Sequence, residues 1–183
     1  GFFQRGEDRC QANIKGSSSA TLRACNDLGY IAAILREFGF EVIIRDYPAE
    51  KLKWKDFDRD FKEFMPDFAI TSITTSTIEE DMQAFIRAKE LNPNVITIAK
   101  GAHFYSCPCE KLEKDIYKAM DYAISGEAEY IIGNLIKAIL ENTPIEEVYG
   151  VYFWNNSKTG IIKTPQPHFE ENLDSIPFPA RDL

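Results

Sequence analysis

Three short stretches hold the residues whose types and spacing suit binding or chemistry. The run "SITTST" places Ser72, Thr74, Thr75, Ser76 and Thr77 within six positions, and small hydroxyls both donate to and accept from amides and phosphate oxygens. The same hydroxyls also build turns, and Thr77 has a plain structural use as a helix cap, so ligand contact and turn chemistry both account for the cluster. In "KGAHF" stand Gly101, Ala102 and His103. Gly101 permits close backbone approach, and the imidazole of His103 can bind, ligate or move a proton, or simply fill a surface or core position. The third stretch, "SGEAE", sets Gly126 at a tight turn and Glu127 and Glu129 at the start of a helix. The positive helix end favours both carboxylates there without any ligand.

The thiols offer less. Cys10, Cys25, Cys107 and Cys109 are too few and too unevenly spaced for a disulfide framework. Cys107 and Cys109 are separated by one proline, too close to bridge without strain, and no second pair completes a zinc quartet. A cysteine–histidine enzyme built on Cys107 or Cys109 with His103 lacks a third group to orient the base. The sequence contains no P-loop, no GxGxxG and no nucleophile elbow.

The 183 residues suit one domain with a small appendage, and the net charge of -8 argues against nucleic-acid or anionic-membrane partners, which need a basic face. No apolar run approaches a membrane span. "GFFQRGEDRC" has no signal-peptide pattern, so a cytoplasmic location is expected.

The elements that must position these loops alternate. "NDLGYIAAILREFGF" repeats Leu28, Ile31, Ala32, Leu35 and Phe38 at helical spacing, with Asn26 as N-cap and Gly39 as terminator. "FEVIIRDY" follows as a buried strand, "WKDFDRDFKEFM" as a polar-faced helix and "PDFAITSI" as the next strand. Thr77 and Glu80 form a capping box before a helix with Ile78, Met82, Phe85 and Ile86 on its inner face. "VITIA" is a strand, "EKLEKDIYKAM" a helix, "DYAIS" a short strand and "GEAEYIIGNLIKAILEN" a helix. The first strand must lie upstream of Asn26, where "RCQANI" is the candidate, followed by the loop "KGSSSATLRAC".

This alternation predicts an α/β fold: a Rossmann-like, flavodoxin-like, doubly wound parallel sheet of five strands over residues 1–148. Residues 149–183 read as a β-hairpin outside that pattern and an extended tail, "LDSIPFPARDL", in which Pro177 and Pro179 disfavour regular structure. In such sheets ligands bind beyond the carboxyl ends of the strands, which is where the three polar loops and "KGSSSATLR" fall.

Taken in order, "NDLGYIAAILREFGFEVIIRDYP", "PDFAITSITTST", "KGAHFY", "SGEAEYIIGNLIKAI" and "LDSIPFPARDL" resemble the cobalamin-binding domain of class B radical S-adenosylmethionine enzymes, over roughly residues 26–183. The resemblance implies a corrin over the strand ends and a nucleotide tail between the sheet and its helices. It implies cofactor contacts from the serine-rich loop (Ser72, Thr74, Thr75), the "GGxH" loop (Gly101, Ala102, His103) and the "GExE" loop (Gly126, Glu127, Glu129). The tail would then connect to a radical S-adenosylmethionine barrel in cis.

The sequence departs from the family pattern at Lys100, which replaces the first glycine of "GGxH"; its side chain could crowd the nucleotide tail or bond a phosphate oxygen. No DxHxxG motif supplies a cobalt-ligating histidine, so the resemblance implies base-off cobalamin without a histidine ligand. Ser19 and Arg23 are candidates for the lower face of the corrin. No CxxxCxxC motif is present, so the 4Fe-4S cluster and S-adenosylmethionine would belong to the downstream domain, and the fragment itself would be a non-catalytic module of a methyl-transfer or related radical enzyme. The alternative is a flavin-binding or receiver-like regulatory domain on the same fold. A receiver wants an aspartate after "FAITS", which is missing, whereas "GSSSAT" leaves a flavin phosphate loop open.

Overall fold

A computed structural model describes residues 25–166 and 172–183. The expected first strand "RCQANI", its loop, Ser19, Arg23 and Cys10 lie outside those residues. The helices are α1 (Asn26–Glu37), α2 (Trp54–Phe64), α3 (Ile78–Leu91), α4 (Cys109–Leu112) and α5 (Ala128–Glu141), and the strands are β1 (Phe68–Ser72), β2 (Ile96–Lys100), β3 (Tyr122–Ile124), β4 (Val151–Trp154) and β5 (Ile161–Lys163). The sheet runs in the order β1-β2-β3-β4-β5. β1, β2 and β3 are parallel, and β4 and β5 add on antiparallel.

Alternation along the strands divides the core between two faces. Ile98 and Ile124 face α1 and α5, where they pack with Ile31, Leu35, Ile132, Leu135 and Ile136. The neighbouring Ala99 and Ala123 face the other way, toward Met82, Phe85, Phe104, Leu112 and Met120. A period of two places successive side chains on opposite faces, and covering helices on both sides are what a parallel sheet requires. Each fully buried isoleucine or leucine contributes roughly 1.5–3 kcal/mol by leaving water.

Four local readings need correction. Residues 41–46 of "FEVIIRDY" belong to no strand, and Ile43 is exposed. A cleft of about 750 Å³ among the described residues separates this run from β1. Branched residues confer strand propensity, but without a hydrogen-bonding neighbour they make no strand. The hairpin does not sit apart, because β4 pairs with β3 and buries Tyr152 completely. "EKLEKDIYKAM" is broken into α4 and a 3-10 turn, Asp115–Tyr117. Leu112 and Tyr117 are both buried, yet residues five apart point about 140° apart on an α-helix. Finally, Cys25 rather than Asn26 holds the cap position of α1.

The end of α1 follows expectation: Gly39 takes φ 85°, and its N–H donates to Arg36 O at 2.9 Å. Thr77 does precede α3, but it makes no capping-box hydrogen bond there. Its hydroxyl instead donates to the Asp81 carboxylate, one turn into the helix.

Candidate functional site

The three parallel strands deliver their following loops to one edge of the sheet. At the end of β2 the chain turns through Gly101, which adopts φ 127° and ψ 172°. A Cβ added there would stand 2.2 Å from the carbonyl oxygen of Ile73, so the loops after β1 and β2 meet backbone to backbone. Ile73 N–H completes the contact by donating to Lys100 O at 2.7 Å.

His103 ties the same loops through side chains. Its Nδ1 lies 3.0 Å from Thr75 Oγ1, and its Nε2 lies 2.9 Å from Tyr117 OH. The ring also stacks on Tyr117, with centroids 6.1 Å apart. Burial pushes the imidazole pKa down, and the nearby Lys111 charge adds to the effect. One ring nitrogen then donates and the other accepts, which suits two hydroxyls that can do either. A group whose folded pKa is depressed stabilises the fold above its unfolded value and loses that contribution as pH falls. The His103 ring resonances should therefore titrate below the ordinary value of 6.5. His103→Gln should flatten the acid-side fall in thermal midpoint that begins there, a difference that calorimetry across a pH series would detect.

The loop after β3 joins this wall through tyrosine. Tyr105 OH donates to Glu127 Oε1 at 3.0 Å, and burial together with Glu127 pushes the phenol up to about 12. Ser125 is fully buried, accepts from Gln166 Nε2 at 2.6 Å and donates to Tyr105 O at 3.4 Å. Gly126 takes φ 144°, and Glu127 and Glu129 stand at the N-terminal end of α5 as expected.

Of the hydroxyl cluster, Thr74 stays within its own turn, 2.9 Å from Thr77 Oγ1 and 3.1 Å from Ser76 Oγ. Thr75 alone of the cluster reaches His103, and Ala102 is exposed at the start of the next turn. Ser72 points elsewhere. In register with Lys100 across β1 and β2, it donates to Asp27 Oδ2 at 3.1 Å, and Lys100 Nζ pairs with the same carboxylate. This trio ties the first turn of α1 to the ends of β1 and β2. Burial raises the Asp27 pKa, but the charge and hydrogen bond of Lys100 outweigh it and hold the carboxyl below its usual range.

Sequence reasoning missed Asp27, Tyr105, Tyr117, Ser125 and Gln166. The signal for Asp27 was faint: an acid in the first turn of a helix has a sufficient reason to be there in the helix dipole. Tyr117 was hidden because "EKLEKDIYKAM" reads as an unbroken helix. Among the described residues no group of three or more histidine, cysteine or acidic side chains could hold a metal ion.

The B12 binding domain family matches residues 26–136, which span α1 through most of α5. The chain belongs to that family. It is 28% identical over 164 residues to an uncharacterised methyltransferase of Pyrococcus horikoshii, covering 85% of this chain and 33% of that protein. With cytidylyl-2-hydroxyethylphosphonate methyltransferase of Streptomyces wedmorensis it shares 26% identity, covering 84% of this chain and 35% of the other. The chain thus spans about a third of the length of these relatives. Its fold resembles that of a part of the radical S-adenosylmethionine methyltransferase TsrM of Kitasatospora setae, solved with cobalamin and a 4Fe-4S cluster (TM-score 0.66, 17% identity, 85% of this chain and 28% of that one). It also resembles that of a part of the cobalamin-dependent radical enzyme OxsB, solved with aqua-cobalamin and S-adenosylmethionine (TM-score 0.71, 16% identity, 88% of this chain and 22% of that one).

The donor chemistry of the edge fits a B12 cofactor. A corrin carries a rim of amide side chains that both donate and accept, as hydroxyls such as those of Ser72, Thr74 and Thr75 do. Of the residues expected to contact it, Thr75 and His103 meet across the loops after β1 and β2, Glu127 meets Tyr105 across the loops after β2 and β3, and Gly101, Ala102, Gly126 and Glu129 lie in or beside those loops, while Ser72 and Thr74 are engaged by Asp27 and by their own turn. The chain is a B12-binding module resembling the cobalamin domain of radical S-adenosylmethionine methyltransferases. No helix among the described residues is long and apolar enough to cross a membrane.

Proposed function

We propose that this chain is the cobalamin-holding part of a longer radical S-adenosylmethionine enzyme, a methyltransferase in its complete form, and that it binds the corrinoid base-off with no histidine on cobalt. The observation that carries the cobalt assignment is the engagement of His103. Thr75 and Tyr117 occupy its two ring nitrogens, so ligating a metal would sacrifice one of those hydrogen bonds. The relatives, three times as long and named as methyltransferases, support the reading of a module within a larger enzyme.

When bound, cobalamin supplies a cobalt able to carry a methyl group or an electron. The residues of this chain hold and orient it. Thr75, His103 and Tyr117 brace the loops after β1 and β2, and Tyr105 and Glu127 brace those after β2 and β3. The 4Fe-4S cluster and S-adenosylmethionine belong, on this reading, to a barrel in cis. Free thiols at Cys107 and Cys109 accord with a reducing cytoplasm.

The test is anaerobic incubation with hydroxocobalamin, desalting, and a visible spectrum of the protein fraction. Near-equimolar corrinoid with a base-off spectrum is expected, and His103→Ala should leave the form of that spectrum unchanged while weakening retention. A colourless protein would overturn the binding assignment for the chain. A spectrum that changes ligand field in His103→Ala would overturn the histidine-off assignment.

A further inference from the structure

The tail after residue 172 is docked along α1. Ala180 N–H donates to Gly29 O at 2.9 Å. Pro179 is buried against Gly29, where an added Cβ would stand 3.1 Å from Pro179 Cβ. The Arg36 guanidinium, in the last turn of α1, grips both oxygens of Asp182 at 2.8 and 3.0 Å. A planar fork on a carboxylate fixes direction as well as proximity. Beside the buried Pro179, Phe178 is 93% exposed. A proline on each side restricts its backbone, so the point from which this exposed ring projects is fixed.

The same helix carries Asp27, whose carboxylate takes Ser72 and Lys100 at the sheet edge. From Asp27 to Arg36 α1 extends about 13 Å, and it joins the cofactor edge at one end to the tail at the other. We propose that α1 and the tail form a clasp that presents Phe178 as an anchoring side chain to a second domain of the same polypeptide, at a fixed orientation to the corrinoid edge. This rests on the reading of the chain as a module of a longer enzyme. The partner surface it fits is an apolar pocket the size of one aromatic ring. Aromatic side chains dominate interface energies, and a backbone already restricted loses little further freedom on docking.

Hydrogen exchange read by mass spectrometry tests the clasp in this chain. The segment containing Ala180 should exchange at least about tenfold more slowly than a free peptide, as docked backbone does. Arg36→Ala should remove most of that protection, whereas Phe178→Ala should leave it intact. In the longer polypeptide, Phe178→Ala should speed proteolytic cleavage between the domains several-fold while corrinoid retention persists. Free-peptide exchange at Ala180 in the unaltered chain overturns the clasp, and unchanged interdomain cleavage in Phe178→Ala overturns the anchor. A chain with a protected tail that retains no hydroxocobalamin would instead overturn the cofactor reading and leave the clasp standing.

Discussion

Gly101→Ala is expected to cost at least about 3 kcal/mol of stability and to abolish corrinoid retention, whereas Gly39→Ala should cost only about 1 kcal/mol and leave retention unchanged. Both glycines have positive φ, 127° and 85°; Gly101, at ψ 172°, lies where essentially only glycine goes, but strain is not what separates the two most. Space does: around Gly39 an added Cβ meets nothing within 4 Å, while at Gly101 it meets the Ile73 carbonyl oxygen at 2.2 Å. Ile73 is fully buried and hydrogen-bonded to Lys100, so it cannot withdraw without parting the loops after β1 and β2. Urea unfolding of the two variants measures the difference. Equal losses would mean that the loops meet less closely than the geometry says.

Asp27→Ala should destabilise the protein by about 2–3 kcal/mol and Lys100→Ala by less than about 1 kcal/mol, an asymmetry that follows from unequal access to water. The Lys100 side chain is 10% exposed and that of Asp27 39%. Removing the carboxylate strands an ammonium group beneath α1 with few alternatives, whereas removing the lysine leaves a carboxylate that water and Ser72 can satisfy. The upper end of the range for breaking a buried pair is discounted here because one partner is substantially solvated. The Lys100 partnership also holds the Asp27 pKa below 3.8. Its stabilising contribution is therefore present above that value and lost as pH falls through the lower folded value. Acid unfolding of Lys100→Ala should begin at higher pH than that of the unaltered chain. Equal losses in urea for the two alanine variants would show that Lys100 finds water after all.

Much of this fold was legible in residue order. The helices α1, α3 and α5 carry apolar stripes whose period is enough to call them, and β1, β2 and β3 fall inside "PDFAITSI", "VITIA" and "DYAIS". The three polar loops, the turn at Gly39 and the acids opening α5 follow from the same local rules. That these loops gather at one edge follows as well, because parallel strands must end together there.

Other features depended on neighbours distant in sequence. "FEVIIRDY" has strand composition, yet its fate rests on what lies beside it, and a cleft separates it from β1. The hairpin joins the sheet because β3 has a free edge for β4 to pair with, a fact of topology that no local pattern announces. The roles of the loop residues were decided in the same way. Thr74 was spent on its own turn, Thr75 on His103, and Ser72 on Asp27, 45 residues earlier in the chain. Tyr117 entered the site only because burial of both Leu112 and Tyr117 breaks a predicted helix. The tail, read as an extended connector, is seated on α1 by Gly29 and Arg36. By itself the sequence determined the α/β class, which follows from periodicity and turn chemistry, and the family it resembles, which follows from its ordered motifs. The tertiary structure alone decided which side chains meet. Hydrogen bonds and ion pairs between distant residues depend on register, strand order and helix placement, and no short stretch of chain encodes those.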